Sequence, residues 1–227
     1  MIKSTFPITT SPEGPQPDFI DPDFYTGKEY SLPSPSDRLV EENFTKLSLQ
    51  RRSRRAYSKA TMTRKQLSYL LYYAYHEEDG HLPVPSGANS KSLRLYVCIF
   101  NVLDMEKGIY KYHPRRHSLF LVRRFLDATE EIDKIFLGQA FIQKASCLIA
   151  LGIHLPSSSY KYPSEGEKLS LLEAGHVGQQ IQLASESLML ASCPVAKYRQ
   201  EAIDQFFQSE ETPIAYVFPV GTRESNF

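Results

Sequence analysis

The chain has 227 residues, 41% of them hydrophobic, with 26 Lys+Arg balanced by 26 Asp+Glu. That is long enough for one sizeable core, and zero formal net charge speaks against a general nucleic-acid binder. No run approaches the ~18 apolar residues of a membrane span, and Met1-Ile2-Lys3 is not followed by a secretory apolar region, so the expectation is a cytoplasmic protein with no membrane or nucleic-acid partner. Cys98, Cys147 and Cys193 lie far apart, without Cys-x-x-Cys, each in an apolar stretch. They read as buried thiols, with no disulfide framework and no metal site.

In chain order, seven of the fifteen prolines fall in the first 35 residues. Residues 1–36 therefore read as an extended arm. Its aromatics (Phe6, Phe19, Phe24, Tyr25, Tyr30) predict that it docks, on a partner subunit or on its own chain. Residues 37–227 read as one domain. Ser36 or Asp37 can cap a helix reaching Arg51, with Leu39, Val40, Phe44 and Leu47 as its stripe. A second helix follows Thr63 and runs to about His76, with Leu67, Leu70, Leu71 and Ala74 inward. After a turn-rich link, residues 93–102 read as a strand, and 108–112 with 118–122 as a hairpin. Residues 127–141 read as helix and 145–153 as a buried strand. A long helix over 169–191 places Leu169, Leu172, Val177, Ile181, Ala184 and Leu188 on one side. Residues 201–207 read as a short helix and 213–220 as a last strand. The interleaving predicts an α+β fold, a mixed sheet sandwiched by helices.

The densest chemistry is Arg51-Arg52-Ser53-Arg54-Arg55-Ala56-Tyr57. Like charges this close repel unless an anion neutralises them, and the guanidinium fork suits bidentate phosphate contacts. A solvated basic helix end is the plain alternative.

Arg-Arg-Ser-x-Arg-x-aromatic, then Pro-Ser-Gly-x-Asn at 85–89, then Pro219-Val220-Gly221 occur here in an order that resembles the FMN-dependent nitroreductase fold over about residues 38–223. The resemblance implies an intertwined homodimer with two FMN sites at its interface. Arg51, Arg52, Ser53 and Arg55 would hold the flavin phosphate and pyrimidine edge, where a cation stabilises the charge of the reduced ring. Pro85, Ser86, Gly87 and Asn89 would reach the flavin from the second subunit, as an alternative to an ordinary turn before a strand. Pro194, Val195 and Ala196 would lie beside flavin N5. Gly221 and Arg223 would add a phosphate contact, unless Arg223 is a plain surface residue.

Lys161-Tyr162, a Gly five residues after the Lys, and Leu171-Leu172-Glu173-Ala174-Gly175-His176 resemble the SagB/McbC-type azoline dehydrogenases. That resemblance implies oxidation of thiazoline or oxazoline rings in a peptide to thiazole or oxazole, with hydride passing to flavin N5 and reoxidation by O2. Lys161 and Tyr162 would be the catalytic pair. Removing the ring proton needs a base, and Lys and Tyr near pKa ~10 serve only where their surroundings shift them. Two polar residues on a surface loop are the alternative. The pair Lys197-Tyr198 ranks below it, and His176 reads as a helix-packing residue. Glu165-Gly166-Glu167-Lys168 stands where the family carries Arg-Gly-Tyr-Arg, so charge is reversed at Glu165 and an aromatic lost at Glu167. The implied substrate is a peptide or carrier-tethered chain, with any leader-binding clamp supplied by another subunit, as in a complex with a cyclodehydratase. Two other readings stand beside this one: an NAD(P)H-dependent nitro- or quinone reductase, and a non-catalytic scaffold subunit.

Overall fold

The computed structural model describes residues 25–33 and 44–224. The proposed caps Ser36 and Asp37, with Leu39 and Val40, lie outside the described residues, as does most of the arm.

Among the described residues, seven strands form one sheet in the order β1-β4-β3-β2-β5-β7-β6. They are β1 (Glu29–Ser31), β2 (Leu93–Ile99), β3 (Gly108–His113), β4 (Ser118–Arg124), β5 (Cys147–Ile153), β6 (Leu190–Ser192) and β7 (Ile214–Thr222). Every pairing between these strands is antiparallel. Within the same residues, parallel pairing in the expected mixed sheet is confined to an isolated bridge between Met62 and Val102. Six helices accompany the sheet there: α1 (Phe44–Gln50), α2 (Arg64–Tyr75), α3 (Thr129–Ile135), α4 (Leu155–Ser159), α5 (Gly166–Ser187) and α6 (Gln200–Phe207).

The sheet is covered on both faces. Leu67, Leu70, Leu71 and Ala74 of α2 and Val177, Ile181 and Ala184 of α5 pack with Leu95, Val97 and Ile99. Ile132 of α3 and Ile203, Phe206 and Phe207 of α6 pack with Tyr96, Cys98, Leu148 and Val217. Successive residues of a strand point to opposite faces, so β2 is buried throughout and both alternating sets of its side chains are core. The helix expected after Thr63 forms with a full capping box: Gln66 N–H donates to Thr63 Oγ1 at 3.1 Å and Thr63 N–H to Gln66 Oε1 at 3.0 Å. All three cysteines are buried and free.

Three expectations are corrected, and one part of the arm is placed. The helix over 127–141 stops at Ile135, because Leu137 (φ 56°) and Gly138 (φ 74°) turn left-handed. The long helix begins at Gly166 and ends at Ser187, where Met189 (φ 55°) breaks it and lets β6 form. Leu172 is 52% exposed, and Phe44 on α1 is 72% exposed, so neither joins the core predicted for it. The arm, over residues 25–33, docks on its own chain: Tyr30 sits opposite Leu119 as β1 adds an edge to the sheet.

Candidate functional site

The predicted site residues are distributed along α5, whose 22 residues span about 30 Å. At its C-terminal end stands the arginine cluster. Residues 51–56 are not helical; they leave the C-terminal end of α1, whose last carbonyls accept from Arg51 N–H (Leu47 O, 2.9 Å) and Arg52 Nη1 (Leu49 O, 2.8 Å), as the helix-end alternative expects. Arg54 N–H donates to Ser192 O at 2.9 Å and Ser58 N–H to Thr222 O at 2.9 Å, lashing the segment to the ends of β6 and β7. Buried Tyr57 fills the space over Gly221, where a Cβ would come within 2.8 Å of its ring. Burial, then the neighbouring Cys193 and Cys147, push its phenol well above the ordinary range, so it stays a neutral donor to Pro219 O at 3.3 Å.

The cations of this segment divide into two sets. Arg51 Nη1 donates to Gln182 Oε1 at 2.7 Å. Arg54 Nη2 reaches both oxygens of buried Glu186 at 3.1 and 3.3 Å, and Arg223 Nη1 reaches Glu186 Oε1 at 3.0 Å. Arg52 and Arg55 instead face solvent: among the described residues Arg52 donates to the carbonyls of Leu49 and Arg51, and Arg55 lies 5.7 Å over the Phe141 ring. Ser53 is exposed between them. A cleft of about 560 Å³ opens here, lined by Lys46, Gln50, Arg52, Arg54, Glu186 and Arg223. Arg54 Nε is buried without a partner among the described residues. The lining carries one carboxylate among four cations, with Leu47, Leu49 and Met189 beside them; Ser53 and Arg55 are exposed on the same segment outside that lining. Residues 194–196 join this end: Val195 pairs with Val217, and Arg55 lies close enough to Cys193 to oppose the rise that burial imposes on its thiol.

At the N-terminal end of α5 sits the other group. Residues 87–89 form a 3-10 turn in which Asn89 is exposed at φ 55°, and Ser86 Oγ donates to Glu173 Oε2 at 2.7 Å. Lys161 and Tyr162 occupy the corner between α4 and α5. Lys161 is half-buried and Tyr162 36% exposed, and among the described residues neither side chain makes a hydrogen bond or ion pair. Gly166, which closes the corner, is packed so tightly on Ser159 that a Cβ would stand 2.9 Å from its backbone nitrogen. The second pair lies elsewhere: Tyr198 donates to Ile214 O at 2.8 Å and packs edge-on against Phe136. His176, expected to pack within the helix layer, is exposed and donates from Nδ1 to Pro85 O at 3.1 Å.

One chain thus brings Arg51, Arg52, Ser53, Arg55, Pro194, Val195, Ala196, Gly221 and Arg223 to one end. It brings Pro85, Ser86, Gly87, Asn89, Lys161 and Tyr162 to the other. Along the helix axis Gln182 stands roughly 24 Å from Gly166, which closes the Lys161-Tyr162 corner, and roughly 9 Å from His176, which holds the Pro85 carbonyl, so the corner is remote from the arginines and the 85–89 turn lies between them. Sequence reasoning missed Gln182 and Glu186, the partners of Arg51 and Arg54, which lie one helical turn apart on α5 and more than 130 positions from those arginines. Among the described residues no helix is long and apolar enough to cross a membrane.

This α+β sandwich, an antiparallel sheet between two helix layers, matches the fold of solved nitroreductase-family structures. The chain belongs to the nitroreductase family, whose model matches residues 49–222. A Methanocaldococcus jannaschii protein provisionally named nitroreductase MJ1384 is 31% identical over 199 residues, covering 86% of this chain and 96% of its own. A crystal structure from Anabaena variabilis, provisionally named a nitroreductase, superposes with a TM-score of 0.76 at 22% identity over 96% of this chain. The present chain spans only 45% of that larger protein. A chain of the E. coli microcin synthetase McbBCD complex, with truncated pro-MccB17 bound, superposes with a TM-score of 0.68 at 18% identity, covering 86% of this chain and 79% of its own.

Proposed function

We propose that this protein is an FMN-dependent dehydrogenase that oxidises thiazoline or oxazoline rings in a peptidic substrate, working as a homodimer. The observation that carries this reading is the corner at 161–162. It presents a Lys and a Tyr with no partner among the described residues of their own chain, at the N-terminal end of the helix on which the Gly87 turn rests and far from the arginines. That arrangement suits a site completed across two copies, the arginine end of one facing the Lys-Tyr end of the other. Exposed Phe44 and Leu49 on α1 and Leu171 and Leu172 on α5 give such a contact an apolar surface.

Bound FMN supplies an acceptor for the hydride, with oxygen as the final oxidant. Arg51, Arg52, Ser53, Arg55 and Arg223 would hold its phosphate and pyrimidine edge. Ser86, Gly87 and Asn89 would reach it from the second copy, and Pro194, Val195 and Ala196 would lie beside the ring. Aromatisation also releases a proton from the neighbouring ring carbon, and Lys161 Nζ or Tyr162 Oη accepts it. The likeness to a chain of a peptide-modifying complex supports a peptide or carrier-tethered substrate, delivered within a complex that holds a cyclodehydratase. Lys161→Ala should abolish turnover of a thiazoline peptide while the purified protein stays yellow. Full activity in that variant would overturn the assignment.

The similarity to the M. jannaschii protein favours a second reading, an NAD(P)H-dependent nitro- or quinone reductase. Anaerobic NAD(P)H separates the two: rapid bleaching of the bound flavin selects the reductase, and persistence of its colour selects the dehydrogenase.

A further inference from the structure

The Leu-Leu-Glu-Ala-Gly-His run at 171–176 has no role in the chemistry above, yet the structure gives its glutamate one. Three α5 residues meet the turn at 85–89 from a single helix face: Leu169, Glu173 and His176, at i, i+4 and i+7. A Cβ on Gly87 would lie 2.9 Å from Leu169 Cδ2, so the backbone of the turn rests directly on the helix. His176 holds the Pro85 carbonyl. Between them Glu173, 1% exposed, accepts four hydrogen bonds. Ser86 Oγ (2.7 Å), Ser92 N–H (3.3 Å) and Ser92 Oγ (3.1 Å) donate to one oxygen, and Tyr75 OH (2.6 Å) to the other. The Ser86 hydroxyl in turn accepts Lys91 N–H at 2.9 Å.

One buried carboxylate therefore ties together the residue that enters the turn and the residue that leads into β2. The stretch it brackets is strained: Asn89 (φ 55°) and Lys91 (φ 48°) both sit in the left-handed region without being glycine. Such backbone persists only where its surroundings over-determine it, and it concentrates at ligand clamps. The four donors to Glu173 are hydroxyls and an amide, so the network fixes shape without presenting a cation of its own.

We propose that Glu173 is a positioning residue of the flavin site: with Leu169 and His176 it holds the 85–89 turn in the shape that meets the flavin before any flavin arrives. This rests on the reading that the turn contacts FMN, so the experiment has one arm with flavin and one without. Glu173→Gln keeps the volume but turns an amide nitrogen toward hydroxyl donors. Ser86→Ala removes the link while leaving helix and sheet intact, and Ser86→Thr restores a hydroxyl.

In flavin-free protein, hydrogen exchange of the amides at 89–92 should rise about tenfold in Glu173→Gln and Ser86→Ala, with residues 51–57 unchanged and Ser86→Thr close to the parent. The FMN dissociation constant, from quenching of flavin fluorescence, should rise about tenfold in the same two variants and recover in the threonine variant. A Ser86→Ala protein that melts like the parent, with exchange and FMN affinity both unchanged, overturns the proposal. A parent chain that takes up no FMN overturns the flavin reading instead, while the exchange arm still decides whether Glu173 holds the turn.

Discussion

The two ends of α5 solve different physical problems. At the C-terminal end the chain gathers Lys46, Arg52, Arg54 and Arg223 around one cleft, and self-repulsion has to be offset before any ligand binds. Glu186 does this from inside the helix, pairing Arg54 and Arg223 and leaving Arg52 and Arg55 outward. At the N-terminal end the buried carboxylate is Glu173, and its partners are hydroxyls and an amide that lock a strained turn. The first end is built to bind charge and the second to hold shape, with the Lys161-Tyr162 corner beside it unpaired among the described residues. The site proposed above draws on both ends, and the helix between them carries two buried glutamates with unlike surroundings.

The sharpest way to break this contrast is Glu186→Ala. It leaves Arg54 and Arg223 facing each other, and removing one member of a buried ion pair costs about 3 kcal/mol or more. Urea unfolding should show that loss, and added inorganic phosphate should restore some of it, because an anion can take the carboxylate's place. A loss of less than about 1 kcal/mol would mean that Glu186 is not what offsets the charge.

A smaller effect is expected at the other end from Gly166→Ala. The new Cβ meets the backbone of Ser159 at 2.9–3.0 Å, so the α4–α5 corner must shift, costing about 2 kcal/mol. Because that corner carries Lys161 and Tyr162, turnover should fall at least tenfold while the FMN dissociation constant holds. If FMN affinity and turnover fall together, the two ends are not separable in this way.

How much of this was legible in the sequence follows the same division. The arginine cluster is contiguous, and contiguous charge is visible in any reading of the chain. The helix after Thr63, the hairpin and the buried strands were also readable, since capping and apolar patterning are local signals. The partners of the arginines were not, because Gln182 and Glu186 lie more than 130 positions away in sequence. Two helix ends were misplaced where a side-chain-bearing residue adopts positive φ, at Leu137 and Met189, for which no composition signal exists, whereas α6 ends at Phe207 as expected although Gln208 is also left-handed. Leu172 and Phe44 followed helical periodicity but face outward, since periodicity marks an apolar face without saying which molecule covers it. His176 was read as packing because it sits inside an apolar helix, whereas its bond to the Pro85 carbonyl is a long-range contact.

The smallest expected effect belongs to neither end and serves as the control for both. Pro33 O can only accept, so Ser68 Oγ donates to it and accepts from His117 Nε2–H at 2.9 Å, which leaves Nδ1 to accept from Tyr112 OH at 2.8 Å. This chain of bonds fastens the arm at Leu32 and Pro33 to α2 and the β3–β4 hairpin. Burial, then the neighbouring His76, lowers the His117 pKa to about 4. Between pH 6.5 and 4 the unfolded chain binds a proton that the folded one refuses. The histidine's contribution is therefore complete above about pH 6.5 and is lost as the pH falls toward 4. Melting temperatures at pH 7, 5.5 and 4 should decline accordingly, and His117→Gln should flatten that stretch of the decline. Gly166→Ala touches none of these groups, so its melting curve should run parallel to the parent's across the same window. A change of slope in that variant would show that the arm and the α4–α5 corner are coupled, and the arm would then have to be counted as a third element of the site beside the two ends of α5.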